Sequence, residues 1–172
     1  MSLRCPSALS SAFLLASVAL LDAGSAAASG PAGRPNVDPA LGPRVAEAVA
    51  EAAERLDSAP CSLVLSDFVD ARTGLTLAEN LAATGRSASE HVSTLLFRHP
   101  SSLRPFGGRR VFAFTFPSSP VVFLCREDLL RVRNQRRIVT AIVIHEVLHT
   151  LGLREDAPSS LAVTERVLAR CF

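Results

Sequence analysis

The apolar positions change period several times along the chain. Over Pro43–Asp57 they fall at Val45, Val49, Ala52 and Leu56, the spacing of one helical face, and Ser58, Ala59 and Pro60 end the run. Residues 61–68 (CSLVLSDF) alternate well enough to predict a strand, and residues 70–74 (DARTG) a turn. Residues 75–83 and 87–96 predict two short helices, the second capped by Ser87 or Ser89 ahead of Glu90. Two runs rich in Val and Phe follow, 110–116 (RVFAFTF) and 121–125 (VVFLC). They are separated by Pro117, Ser118, Ser119 and Pro120, which predicts a hairpin, with Gly107 and Gly108 marking where its first strand begins. Residues 127–133 predict a short helix or turn. The most sustained helical pattern covers 136–151, with Ile138, Ala141, Ile142, Leu148 and Leu151 as its apolar stripe and Gly152 as its stop. A last helix is expected over 160–170, on Leu161, Val163, Val167 and Leu168. Helices, then strands, then helices, without an internal repeat, argue an α+β domain.

The first residues read differently. Arg4 supplies a positive start, residues 8–21 are apolar, and Ala26 and Ala28 offer a small-residue cleavage site, so 1–28 is expected to be a signal peptide. The apolar stretch is short for a membrane span, and no second long one follows, so no stable membrane insertion is expected after cleavage. Residues 29–42, rich in Gly and Pro, are expected to be a flexible lead-in, leaving 43–172 as the domain. A length of 172 residues suits one core, and a net charge of +2 gives no reason to expect a nucleic-acid partner. An exported chain that has lost Cys5 keeps Cys61, Cys125 and Cys171, which predicts one disulfide and one free thiol. The pairing stays open, with a bridge involving Cys171 favoured because it would hold the C-terminal helix.

Candidate chemistry concentrates in residues 141–153, AIVIHEVLHTLGL. His145 and His149 are four apart on the predicted helix, so their imidazoles share a face and can converge on one ion. Glu146, beside the first of them, can take a proton from a water activated there. Two of the four His of the chain fall in this pattern, and the pattern lies in an apolar helix where unpartnered polar groups would be costly. A chance surface face of His and Glu is the alternative.

The stretch HEVLHTLG resembles the zincin metallopeptidases and, through Gly152, their metzincin branch, in which the helix stops at a Gly and the chain turns back to supply a third ligand. His145, Glu146, His149 and Gly152 match position by position over about 15 residues. The chain also looks like a group of small exported bacterial proteins with this motif. The resemblance implies a minimal zincin-like fold, with a hairpin packed on the active-site helix. It further implies Zn2+ held by His145 and His149, Glu146 as general base, and a peptide or protein substrate. Where the metzincin pattern has a third His this chain has Glu155, the expected third ligand, with Asp156 and then the more distant Glu165 as alternatives.

The only Met is Met1, so a Met-containing turn is absent, and about twenty residues follow Gly152, which implies an open site. No Tyr is present to stabilise an oxyanion, leaving that to zinc, with His91, His99 or an Arg as helpers. Otherwise His91 and His99 are expected on the surface, Asp67 and Asp70 as turn stabilisers ahead of cation ligands, and the Arg-rich residues 131–137 as a solvated helix start. The 110–116 strand is equally a core strand or an edge able to hold an extended peptide. The rival reading is a non-enzymatic exported zinc-binding protein, or a zincin that has lost catalysis.

Overall fold

The computed structural model describes residues 33–100, 111–132, 135–155 and 158–172. The expected signal peptide, Gly107, Gly108 and Asp156 lie outside them. Among the described residues the fold is α+β, with seven α-helices and one four-stranded mixed sheet. The strands are β1 (Asn36–Val37), β2 (Leu96–Arg98), β3 (Ala113–Thr115) and β4 (Val121–Leu124), in the order β1-β2-β4-β3. β2 is parallel to both β1 and β4, and β3 is antiparallel to β4 with Phe114 opposite Phe123. The expected hairpin is therefore present, its tip turning at Ser118, which has a φ of 64°. β3 is an edge strand.

The helices are α1 (Pro43–Asp57), α2 (Ala59–Ser62), α3 (Leu77–Ala83), α4 (Ala88–Thr94), α5 (Arg126–Arg131), α6 (Arg136–Thr150) and α7 (Ser160–Cys171). α3 and α4 each start with a reciprocal capping box, Thr76 with Glu79 and Ser87 with Glu90. α6 is buried almost all round, packed by α1, α7 and the β3–β4 hairpin, which makes it the axis of the molecule. Its Ile144 and Leu148 join Phe97 and Leu124 of the sheet and Val49 and Leu56 of α1 in the core. Arg136, at the exposed start of α6, pairs with Glu51 of α1, so part of the Arg-rich run is an anchored helix start.

Three expectations are corrected. Residues 61–68 are not a strand: α2 and a 3-10 turn (Leu63–Leu65) occupy them. The buried residues there are Cys61, Val64, Leu65 and Phe68, spaced by three, four and seven, so burial follows the helical period and not the apparent alternation. The lead-in ends earlier than expected. Asn36–Val37 pairs with β2, Asp38 caps a 3-10 turn (Pro39–Leu41), and Leu41 is in the core. Finally, the helix expected over 87–96 stops at Thr94, and its last position begins β2, whose three residues are too few to show a period.

Cys61 and Cys171 form a disulfide that ties the end of α7 to α2, while Cys125 is free. Arg170 makes a two-pronged ion pair with Asp67 (2.8 and 3.0 Å), and the guanidinium of Arg55 lies 4.1 Å over the Phe172 ring. Among the described residues no helix is long and apolar enough to cross a membrane.

Candidate metal centre

α6 carries His145, Glu146 and His149 on its last two turns, and all three are buried. After Leu151 the chain reverses at Gly152, whose φ of 109° is strained for any side chain. That reversal brings Glu155 back over the helix. Its Oε1 lies 2.9 Å from His145 Nε2 and 3.3 Å from His149 Nε2, and the two Nε2 atoms are 3.0 Å apart.

The outer nitrogens decide what those atoms are. His149 Nδ1 is 2.8 Å from the Leu153 carbonyl, which can only accept, so Nδ1 carries the proton. His145 Nδ1 is 2.9 Å from Thr164 Oγ1, whose own proton goes to the Ser160 carbonyl (3.1 Å), so this Nδ1 also donates. Both neutral rings thus present bare Nε2 lone pairs to each other and to a carboxylate oxygen. Three acceptors this close repel unless a cation or a shared proton lies among them.

The donor set fits a metal ion: His145, His149 and Glu155 each offer one ligand atom, all within 4.8 Å of one another. Tetrahedral zinc at bond lengths of about 2.0–2.1 Å would space its ligand atoms roughly 3.3 Å apart. Thr164 and the Leu153 carbonyl are the outer partners that orient each imidazole. Nothing in the local sequence pattern flags them.

Electrostatics follow from the same packing. Burial, reinforced by the neighbouring His149, holds the His145 pKa below its usual value despite the opposing pull of Glu155. Burial pushes the Glu155 carboxyl up, but its contacts with His145 and Ser160, and the positive charge the two imidazoles carry when protonated, outweigh it, and the net shift is downward. Glu146 behaves oppositely: burial first, then repulsion from Glu155, pushes it up to about 8. Its Oε2 is buried with no hydrogen-bond partner among the described residues.

These groups open into a cleft of about 700 Å3. β3 and the two residues before it, Val111 and Phe112, line the cleft, as do Arg154, Ser160 and Thr164. The Cys125 N–H bonds the Phe112 carbonyl at 2.8 Å, so by alternation Phe112 and Phe114 exchange hydrogen bonds with β4. Ala113 and Thr115 then turn their N–H and C=O groups toward the open edge. The hairpin tip is pinned to α6 by Ser118, whose N–H donates to the His149 carbonyl at 3.0 Å.

Of the expected third ligands, Glu155 joins the histidines and Glu165 is exposed outside the group. His91 is not on the surface as expected: it is buried, bonded through Nε2 to Thr150 (2.8 Å), because α4 packs it behind α6. His99 is half-buried beside Glu127 (3.8 Å). Neither lines the cleft, so of the expected oxyanion helpers only an Arg, Arg154, is in place. Compared with known proteins, the chain matches no family model, no curated protein and no solved structure.

Proposed function

We propose that the protein is a zinc-dependent hydrolase of zincin type, acting on peptide bonds. The observation that carries this reading is the convergence of His145 Nε2, His149 Nε2 and Glu155 Oε1 on one point, with the Glu146 carboxyl beside it on the cleft floor. In such a site His145, His149 and Glu155 hold the zinc, whose Lewis acidity polarises a carbonyl and acidifies water. Among the described residues no further His, Cys, Asp or Glu joins the group, and the donors face an open cleft. That favours a site with a free position over the closed, four-ligand arrangement of a structural metal.

Glu146 is the proton carrier. Its Oε2, unpartnered among the described residues, suits a group that would remove a proton from the attacking water and return it to the leaving amine. β3 is suited to hold the substrate extended, because Ala113 and Thr115 present backbone donors and acceptors along the cleft wall. Arg154 is the residue placed to meet developing negative charge. Export is part of the proposal, supported by the Cys61–Cys171 disulfide, which persists in an oxidising compartment.

The test begins with the metal content of the mature protein, purified without added metal, beside His149→Ala. Near-stoichiometric zinc in the first and little in the second is the expected result. Glu146→Ala should then keep its zinc while hydrolysis of an unstructured protein substrate disappears. A folded wild type without metal sinks the reading, and loss of zinc from Glu146→Ala would make Glu146 a ligand instead of the base.

A further inference from the structure

A polar cluster built on the buried Asp70 and the half-buried Asn80 lies where the chain leaves α6. Asp70, in the turn before α3, is 2% exposed. Its Oδ1 accepts from the Arg72 N–H at 2.8 Å, and its Oδ2 lies 3.4 Å from Asn80 Nδ2. The same Asn80 amide donates to the Leu151 carbonyl at 2.8 Å, one of the acceptors left over at the end of α6. Asp70 also occupies the space beside Gly152: a Cβ built there would meet Asp70 Oδ2 at 2.7 Å. Gly152 is required twice over, for its φ of 109° and for this close approach.

The Arg72 N–H and the Asn80 amide offset the cost of burying this carboxylate, and Asp70 also closes its own turn. Those contacts do not account for its position against the end of α6, the pole that disfavours negative charge. The cluster touches the end of α6 at Leu151 and Gly152. The Leu153 carbonyl orients His149 through Nδ1, and two residues later Glu155 reaches both Nε2 atoms.

We infer that Asp70 and Asn80 are positioning residues for the metal centre, clamping the Gly152 turn so that the Leu153 carbonyl and the Glu155 carboxylate face the two imidazoles. The inference rests on the metal-centre reading. It joins two segments with no sequence relation, the turn before α3 and the end of α6, and gives the buried Asp70 a task. Outer partners of this kind act on affinity through geometry: loosening them lets the ligands stray without removing any of them.

The experiment measures Zn2+ dissociation constants by chelator competition, and Co2+ visible spectra, for wild type, Asn80→Ala, Asp70→Ala and Val45→Ala. Val45 packs at the opposite end of α6, beside Val139, and supplies a variant weakened in the core but not at the turn. Asn80→Ala is expected to bind zinc about tenfold more weakly, with displaced Co2+ bands, while its metal-free Tm stays at or above that of Val45→Ala. Asp70→Ala should do the same where it folds. An Asn80→Ala protein with wild-type affinity and spectrum overturns the inference. So does a weakening matched by Val45→Ala with the spectrum unchanged, which would make the clamp a matter of fold stability. Failure of the wild type to bind zinc would instead overturn the metal-centre reading, and is visible before any variant is compared.

Discussion

His145 and His149 share a helical face by spacing alone, but spacing does not say which nitrogen each ring presents. The Leu153 carbonyl and the Thr164 hydroxyl settle that by taking the Nδ1 protons, leaving both Nε2 lone pairs turned toward Glu155. If Glu155 is the third ligand, Glu155→Ala should weaken zinc binding at least as much as loss of an outer partner, more than about tenfold to a hundredfold. Glu165→Ala, one residue beyond Thr164 but exposed, should leave the dissociation constant unchanged. Competition with a colorimetric chelator would read both, and equal effects would remove Glu155 from the ligand set. The two His, Glu146 and Gly152 were legible because their relation is local, within one helix and its stop. Thr164, Asp70 and Asn80 were not, since each meets the site only after α7 and α3 fold back onto α6, and no periodicity records such a return.

At the scale of elements, the long pieces could be read and the short ones could not. α1 and α6 each span fifteen residues: α1 has turns enough for its apolar stripe to declare itself, while α6, buried almost all round, shows as a long apolar run stopped by Gly152. β1 and β2, of two and three residues, carry no period and are strands only because they pair with each other and with β4. The segment 61–68 misled because polar residues at Ser62 and Ser66 imitate alternation, whereas burial of Cys61 beside Cys171 commits it to helix. That disulfide closes a separation of 110 residues and anchors the helix that supplies Thr164. Replacing both cysteines by Ala is expected to destabilise the protein by roughly 4–5 kcal/mol on the chain-entropy account, as a lower denaturant midpoint. An unchanged midpoint would mean that Asp67, Arg170 and the packing of Phe172 hold α7 without it.

The molecule as a whole should register pH through a histidine that never touches the cleft. His91 ties α4 to α6: Thr150 gives its hydroxyl proton to the Val147 carbonyl, so His91 donates from Nε2, and its Nδ1 is buried without a hydrogen-bond partner among the described residues. Burial first, and then the charge of Arg86, holds its pKa below the ordinary value. In the unfolded chain the same ring takes up a proton near pH 6.5. Below about pH 6.5, therefore, the unfolded state binds more protons than the folded one, and stability falls as the pH drops toward the folded pKa of His91. One such proton contributes a slope of at most about 1.4 kcal/mol per pH unit. His145 is shifted in the same direction, so the metal-free wild type should carry both contributions, opposed by Glu146, which keeps its proton in the fold up to about pH 8 and so stabilises the fold as the pH falls toward its ordinary pKa. The carboxylates held low in the fold, Asp67 and Asp70 among them, act in a different window. Their stabilisation is complete above about pH 3.9 and disappears as pH falls through their folded values. His91→Gln keeps an N–H for Thr150 and cannot titrate. In urea unfolding of the metal-free protein between pH 7.5 and 5, the stability of this variant relative to the wild type should therefore rise as the pH falls, with the two curves parallel above pH 7. Parallel curves over the whole range would mean that His91 accepts its proton without leaving its place between α4 and α6, and that the packing there is looser than its burial implies.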